Sequence, residues 1–164
     1  MEPFEPWRRM GSHGRLLDVS LLRALLLPGP KSAAALNWLE RVGEGLLRVS
    51  AWSVMELEGE FDSQAAQRLL DGFLAERCPV VCFEPDDFAM VRHRQRYRPG
   101  IAALPLLLQL QLAYRLGLLP ATLDRDLAEA AGALSYPIET PEFPDTPCFT
   151  SRAWGAAARK PSCR

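Results

Sequence analysis

The chain of 164 residues has few lysines and no glycine-rich phosphate loop, and these two features each exclude a class of enzyme. Only two of its 19 basic residues are lysines, and the rest are arginines. Lys31 lies among prolines and Lys160 lies close to the last residue. Neither lysine is placed to form a Schiff base or to bind the phosphates of a nucleotide in a P-loop. We therefore exclude lysine-based covalent catalysis and P-loop nucleotide hydrolysis.

Cysteine and histidine are also scarce, which argues against a structural metal site. The two histidines, His13 and His93, are far apart, and no two cysteines have the C-x-x-C spacing of a zinc ligand pair. We expect reduced thiols in a cytosolic protein. The four cysteines are Cys78, Cys82, Cys148 and Cys163.

No apolar run is long and uninterrupted enough to predict a membrane span. The most apolar stretch, residues 101–123, contains prolines, glutamines and an arginine, and it predicts a buried helix followed by a strand. The first residues carry acids and prolines where a signal peptide has basic and then apolar residues. With 48% hydrophobic residues and a net charge of −1, the chain is predicted to be a globular, cytoplasmic protein with no membrane partner.

Short apolar runs alternate with pairs of segments that have helical spacing. This β-α-α-β-α-α-β-α-α-β pattern predicts an α/β fold with a parallel sheet of four or five strands flanked by helices. We predict a loose leader over residues 1–14, one domain over 15–136, and a proline-rich, partly disordered tail over 137–164. The predicted strands are 15–19, 46–51, 79–83 and 119–123, and the predicted helices are 21–27, 33–42, 53 onward, 64–75, 85–97, 105–116 and 127–134.

Acidic side chains follow three of the four predicted strands. Reactive groups of a parallel sheet gather at the carboxyl ends of its strands, so we expect these acids at one edge. Each also has a structural interpretation, because Ser53 and Glu56 have the spacing of a capping box and acids favour the first turn of a helix. The residues concerned are Asp18 after the first strand, Ser53 and Glu56 after the second, and Asp124 and Asp126 after the fourth.

Three blocks, in this order and spacing, resemble PIN-domain proteins, and specifically the VapC-type ribonuclease toxins of toxin–antitoxin pairs. Residues 16–22 read Leu-Leu-Asp-Val-Ser-Leu-Leu, similar to the opening strand of that family. Residues 50–57 read Ser-Ala-Trp-Ser-Val-Met-Glu-Leu, similar to its second block. Residues 122–126 read Thr-Leu-Asp-Arg-Asp, similar to its closing strand end. The resemblance implies a PIN-like three-layer domain.

The resemblance also implies a reaction, a cofactor and partners. It implies a metal-dependent endoribonuclease with Mg²⁺ or Mn²⁺ held by Asp18, Glu56 and Asp124, which would be the catalytic residues. The implied partners are an RNA substrate, an antitoxin protein and a second copy of the chain. Oxygen ligands suit such hard cations. The supporting residues implied around the acids are Ser20, Ser53, Thr122 and Asp126.

One acidic position of the family is missing. Leu106 occupies the slot where the family has an acid at the start of its closing helix, and no acid lies between Asp87 and Asp124. Gln109, one turn further on, could offer a neutral oxygen, but its simpler interpretation is a partly exposed helix residue. The alternative function is therefore a catalytically degenerate PIN-like scaffold that binds RNA or a protein. A phosphoacceptor receiver domain fits less well, because its late-strand lysine is absent.

The densest charge on the chain lies between residues 92 and 98. Arginines beside Tyr97 could contact RNA phosphates while the aromatic ring stacks on a base. The alternative interpretation is a solvated helix face. The candidate RNA-binding residues are Arg92, Arg94, Arg96 and Arg98.

Overall fold

The computed structural model describes residues 14–141, which form four strands and seven helices in the predicted order. Most boundaries agree with the sequence patterns to within two residues, although the strands are shorter than predicted. The strands are β1 (Arg15–Leu17), β2 (Leu47–Ser50), β3 (Val80–Val81) and β4 (Leu119–Ala121). The helices are α1 (Val19–Leu26), α2 (Ser32–Val42), α3 (Ala51–Glu58), α4 (Gln64–Glu76), α5 (Pro85–Tyr97), α6 (Leu104–Leu116) and α7 (Arg125–Ala133).

The strands form one parallel sheet in the order β3-β2-β1-β4. In the central strand β1, Leu17 pairs with Val49 on one side and with Ala121 on the other, so three strands end at the same level. Since residues that follow these strands meet at one edge, the register places the predicted acids there. The predicted α/β fold with a four-stranded parallel sheet is confirmed.

Helices cover both faces of the sheet, which explains why β1 has apolar residues at the two consecutive positions Leu16 and Leu17. Leu17 packs in the core cluster that includes Leu21 of α1 and Trp38 of α2. Its neighbour Leu16 points to the opposite face and packs against Leu112 of α6. Both β1 leucines are fully buried. Helix, sheet and helix therefore form three layers.

The start of α3 differs from the prediction. The helix begins at Ala51, and Ser50 rather than Ser53 is its N-cap, with the Ser50 Oγ accepting a hydrogen bond from the Ser53 backbone N–H at 3.1 Å. The Ser50 hydroxyl in turn donates to the Ser53 Oγ at 3.0 Å. The predicted capping box between Ser53 and Glu56 is therefore wrong, because the chain turns directly from β2 into the helix and buries Ser53 in its first turn.

Residues 137–141 pack against the sheet. Glu139 forms a parallel bridge with Ala121, and its carboxylate accepts a hydrogen bond from the Arg15 guanidinium at 2.8 Å. Ile138 and Thr140 are buried. The boundary predicted at residue 136 thus falls inside a packed segment, because the sheet edge offers backbone partners that a count of prolines does not reveal. Residues 1–13 and the predicted tail from 142 onward lie outside the described residues.

The described segment settles the state of two cysteines. Cys78 is buried with a free thiol, whose pKa burial raises to about 12, and Cys82 is exposed with a free thiol. Cys148 and Cys163 lie outside the described range. Within residues 14–141, no helix combines the length and apolar character that crossing a bilayer requires.

Candidate metal and catalytic site

Asp18 is a buried carboxylate at the carboxyl end of the central strand. It caps α1, and its Oδ1 accepts a hydrogen bond from the Leu21 backbone N–H at 3.1 Å. The Ser20 hydroxyl donates to the same carboxylate at 2.8 Å. Burial raises the pKa of Asp18 from 3.8 to about 6, although these hydrogen bonds oppose the rise. An acid held at such cost is typical of functional sites.

Two hydroxyls join the end of β1 to the end of β4. The Ser20 Oγ lies 3.2 Å from the Thr122 Oγ1 and also accepts the Leu123 backbone N–H at 2.9 Å. The Thr122 Oγ1 accepts the Asp124 backbone N–H at 2.8 Å. Thr122 is fully buried. The network therefore brings Asp18, Ser20, Thr122 and the backbone of Asp124 together.

Asp124 and Asp126 differ in their surroundings. Asp124 is half-buried and caps α7, with its Oδ1 accepting the Asp126 backbone N–H at 2.8 Å. Asp126 is exposed in the first turn of the same helix. The capping interpretation is thus confirmed for Asp124, and Asp126 takes part in the network through its backbone.

Glu56 lies on α3 with an exposed side chain, and electrostatics connects it to Asp18 through Arg23. The hydrogen bond from Arg23 to Glu60 is the main cause of the raised pKa of Arg23, and the charges of Asp18 and Glu56 contribute further. Sequence reasoning missed this arginine, because its partners come from another helix and a loop. Ser53, the other residue predicted on α3, is buried below the surface.

Lys31 is a second cation at this edge that sequence reasoning dismissed. Its Nζ donates a hydrogen bond to the Leu123 backbone carbonyl at 3.3 Å, one residue before Asp124. The sequence does not predict this contact, because Lys31 precedes α2 and lies 92 residues away from Leu123 in the chain. Cations near acids reduce the repulsion between those acids and an RNA phosphate.

The missing acid of the closing helix is explained by packing. Leu106 packs against the apolar cluster between α6 and α7, which includes Leu110 and Leu127. Gln109 is the α6 residue that reaches the end of β1, because its Nε2 donates to the Leu17 backbone carbonyl at 3.2 Å. The expectation of a partly exposed Gln109 is wrong, since this residue is only 6% exposed.

The oxygen donors at this edge suit a hard cation in type, although they do not form a complete cage. Within the part of the chain that the structure describes, no three acid, histidine or cysteine side chains lie close enough to hold a metal ion together. Mg²⁺ is usually held by one or two carboxylates, with waters and substrate phosphates completing its coordination. A carboxylate such as Asp18, fixed by hydroxyls, fits a cation bound in that way.

The arginine segment lies on the last turns of α5. Arg92, Arg96 and Arg98 are exposed, and Arg94 is half-buried. Arg94 lies close enough to Tyr136 to lower the pKa of that phenol against the larger effect of burial. Tyr136 follows the C-terminal end of α7, whereas Asp124 caps its N-terminal end, so Arg94 lies near the end of α7 opposite Asp124. Nine helical residues span about 13 Å.

Comparison with known proteins supports the fold. No family model matches the chain, and no curated protein matches it significantly. Among solved structures, the chain is similar to FitAcB from Neisseria gonorrhoeae, with a TM-score of 0.58 and 20% sequence identity. That likeness covers 77% of this chain and 97% of the FitAcB chain. The chain therefore has a PIN-like fold, with a four-stranded parallel sheet flanked by seven helices.

Proposed function

We propose that the chain is a metal-dependent endoribonuclease of the PIN type and the toxin of a toxin–antitoxin pair. The buried Asp18 carboxylate carries the proposal, because the end of the central strand is where a PIN-like sheet would place its metal ligand. The likeness to FitAcB supports a PIN-domain toxin of such a pair. The blocks around Asp18, Glu56 and Asp124 point to the same family.

The cation would be Mg²⁺ or Mn²⁺, held by Asp18 and Asp124 with Glu56 as a further ligand or the base. When bound, such a cation lowers the pKa of a water and stabilises the charge that develops on a phosphodiester. Ser20 and Thr122 fix the orientation of the Asp18 carboxylate through the network described above. We further propose a cytoplasmic protein that acts on RNA, pairs with an antitoxin protein and forms a homodimer.

Removal of the metal is the first test. We expect the full-length protein to cleave a structured RNA in millimolar Mg²⁺ or Mn²⁺, and EDTA to stop the cleavage until excess cation is added back. Gel analysis of a labelled RNA measures the cleavage, and calorimetry measures uptake of the cation in the absence of RNA. Cleavage that continues unchanged in EDTA would overturn the metal-dependent mechanism.

Substitution of Glu56 separates a catalytic role from the wrongly predicted capping role. Because Glu56 is exposed and does not cap α3, Glu56→Gln should change the free energy of unfolding by less than about 0.5 kcal/mol. A ligand or base at this position should nevertheless make cleavage at least about 100-fold slower in the variant. Denaturant unfolding and single-turnover cleavage measure the two effects.

Glu58→Gln on the same helix is the matched control for this variant. Glu58 is exposed and accepts a hydrogen bond from the Gln67 side chain at 3.0 Å, directed toward α4. The Glu58→Gln variant should therefore cleave RNA at the wild-type rate. Equal rates for Glu56→Gln and Glu58→Gln would remove Glu56 from the proposed site.

One observation favours a scaffold without catalysis: the partly buried Leu106 packs against the cluster between α6 and α7, where the family has an acid. In that case the protein would bind RNA or a protein partner through the same fold. Absence of cation uptake at millimolar concentration, together with intact RNA after prolonged incubation, would support the scaffold. Cation uptake with cleavage would exclude it.

A further inference from the structure

We propose that a groove between the C-terminal ends of α5 and α7 binds a nucleotide of single-stranded RNA. The groove has a volume of about 490 Å³, in the range of sites that hold small ligands. Its lining includes none of the residues proposed around Asp18, and it rests on the proposed function in taking RNA as the ligand. Its polar and aromatic lining comprises His93, Arg94, Tyr97, Arg98, Tyr114 and Tyr136.

Tyr136 supplies the observation that points to a ligand. Its side chain lines the groove and is only 6% exposed, yet its hydroxyl has no hydrogen-bond partner within the described residues. Leaving a buried hydroxyl unpaired costs free energy, so such a group calls for an explanation. Burial raises the pKa of Tyr136, which keeps the hydroxyl protonated and able to donate. The hydroxyl is shielded from solvent in this structure, so a base edge or a phosphate oxygen would satisfy it once the ring turns toward the groove.

The groove also has positive charge that the described residues do not neutralise. In the segment 14–141, the guanidinium groups of Arg94 and Arg98 form no ion pair with an acid. Two arginines left without an acid beside an unpaired hydroxyl suit an anionic ligand, and a phosphodiester matches the guanidinium geometry.

Aromatic rings at the rim favour RNA over other anions. Tyr97 is 76% exposed, and its ring lies 4.6 Å from the His93 ring, which holds it at the rim. Deeper in the groove, Tyr114 and Tyr136 pack edge to face at 6.2 Å. Exposed aromatic rings beside arginines are the usual platform for unstacked bases. An acidic peptide would use the arginines but would leave the Tyr97 face uncovered.

The test measures binding of a fluorescent single-stranded RNA of ten nucleotides to the full-length protein in EDTA, where metal-dependent cleavage does not occur. Tyr136→Phe removes only the hydroxyl and should weaken binding about 3- to 10-fold. Arg94→Gln and Arg98→Gln should each weaken binding and reduce the slope of log affinity against log salt by about one. Thermal melting should show Tyr136→Phe to be at least as stable as the wild type, because the substitution removes an unpaired buried hydroxyl.

Two control variants make the outcome specific. Arg41→Gln removes an exposed arginine on α2, outside the groove, and should leave affinity unchanged. Asp62→Asn, which neutralises an exposed acid in the loop after α3, should also leave binding in EDTA unchanged. Equal losses of RNA affinity for Arg41→Gln and Arg94→Gln would contradict RNA binding in the groove. RNA binding that is insensitive to Tyr136→Phe would contradict it as well. Groove variants that weaken binding of an acidic peptide but not of RNA would overturn it in favour of a peptide ligand.

The two proposals fail in different ways. Metal-dependent cleavage that is insensitive to every groove variant would support the nuclease and contradict RNA binding in the groove. RNA binding that requires Tyr136 and Arg94, in a protein that never cleaves RNA, would support the groove and remove the nuclease.

Discussion

Asn in place of Asp18 is expected to abolish RNA cleavage and to stabilise the metal-free protein at neutral pH. The loss of cleavage follows from removal of the proposed metal ligand at the end of β1. The gain in stability follows from burial, which raises the pKa of Asp18 from 3.8 to about 6. Opposite effects on activity and stability are expected at a functional residue that lowers the stability of the fold.

The stability gain of Asp18→Asn should depend on pH in a defined direction. Below about pH 3.8 the acid is protonated in both the folded and the unfolded chain, so its titration costs nothing. As the pH rises toward 6, the unfolded chain ionises while the folded chain resists, and the wild type loses stability. Above about pH 6 the full penalty is present. The difference between a pKa of 3.8 and one of about 6 corresponds to about 3 kcal/mol of unfolding free energy. Unpaired amide protons of the new Asn reduce this gain by about 1–2 kcal/mol.

Urea unfolding of both proteins between pH 3.5 and 8, in EDTA, measures this dependence. Asp62→Asn is the matched control, because Asp62 is exposed in the loop after α3 and its neutralisation should have little effect on stability at any pH. Adding Mg²⁺ should stabilise the wild type and leave Asp18→Asn unchanged, since only the carboxylate attracts the cation. A variant that loses stability equally at pH 4 and pH 8 would mean that Asp18 acts as a helix cap alone.

The layered fold could be predicted because its signals are local. β1 is apolar at consecutive positions, which indicates burial on both faces, and Pro28 and Gly117 follow the helices that they end. Asp18 could be placed at the carboxyl end of β1 by the same reasoning, since position relative to a parallel strand decides the edge. The hydroxyl contact between Ser20 and Thr122 then required only that β1 and β4 be neighbours.

The parts that escaped prediction depend on contacts between distant segments. Ser50, and not Ser53, caps α3 because the strand runs directly into the helix. A spacing rule cannot distinguish two serines that are three residues apart. The unpaired hydroxyl of Tyr136 and the bridge at Glu139 arise where the chain after α7 returns to the sheet. Neither has a periodic pattern, so only the assembled fold reveals them.

The largest loss of stability is expected from Arg115, which sequence reasoning treated as an interruption in an apolar stretch. Its Nε donates to both oxygens of the Asp87 carboxylate, at 3.0 and 3.1 Å, and the Asp87 side chain is fully buried. Its other nitrogens donate to Glu84 at 2.8 Å and to the Cys82 backbone carbonyl at 2.9 Å. Arg115 thus connects the end of α6 to the start of α5 and compensates a charge that water does not reach.

Arg115→Met should therefore lower the free energy of unfolding by about 3 kcal/mol, near the lower end of the values for breaking buried ion pairs, because Arg115 itself is 24% exposed. Adding Asp87→Asn should recover much of that loss, since a neutral amide can still accept the Glu84 backbone N–H without a buried charge. Arg23→Met is the control, because the pair that it breaks with Glu60 is exposed and should contribute less than about 1 kcal/mol. Equal losses for Arg115→Met and Arg23→Met in denaturant unfolding would contradict the importance of burial. A double variant less stable than Arg115→Met alone would show instead that the Asp87 carboxylate stabilises α5 through its cap without needing its cation.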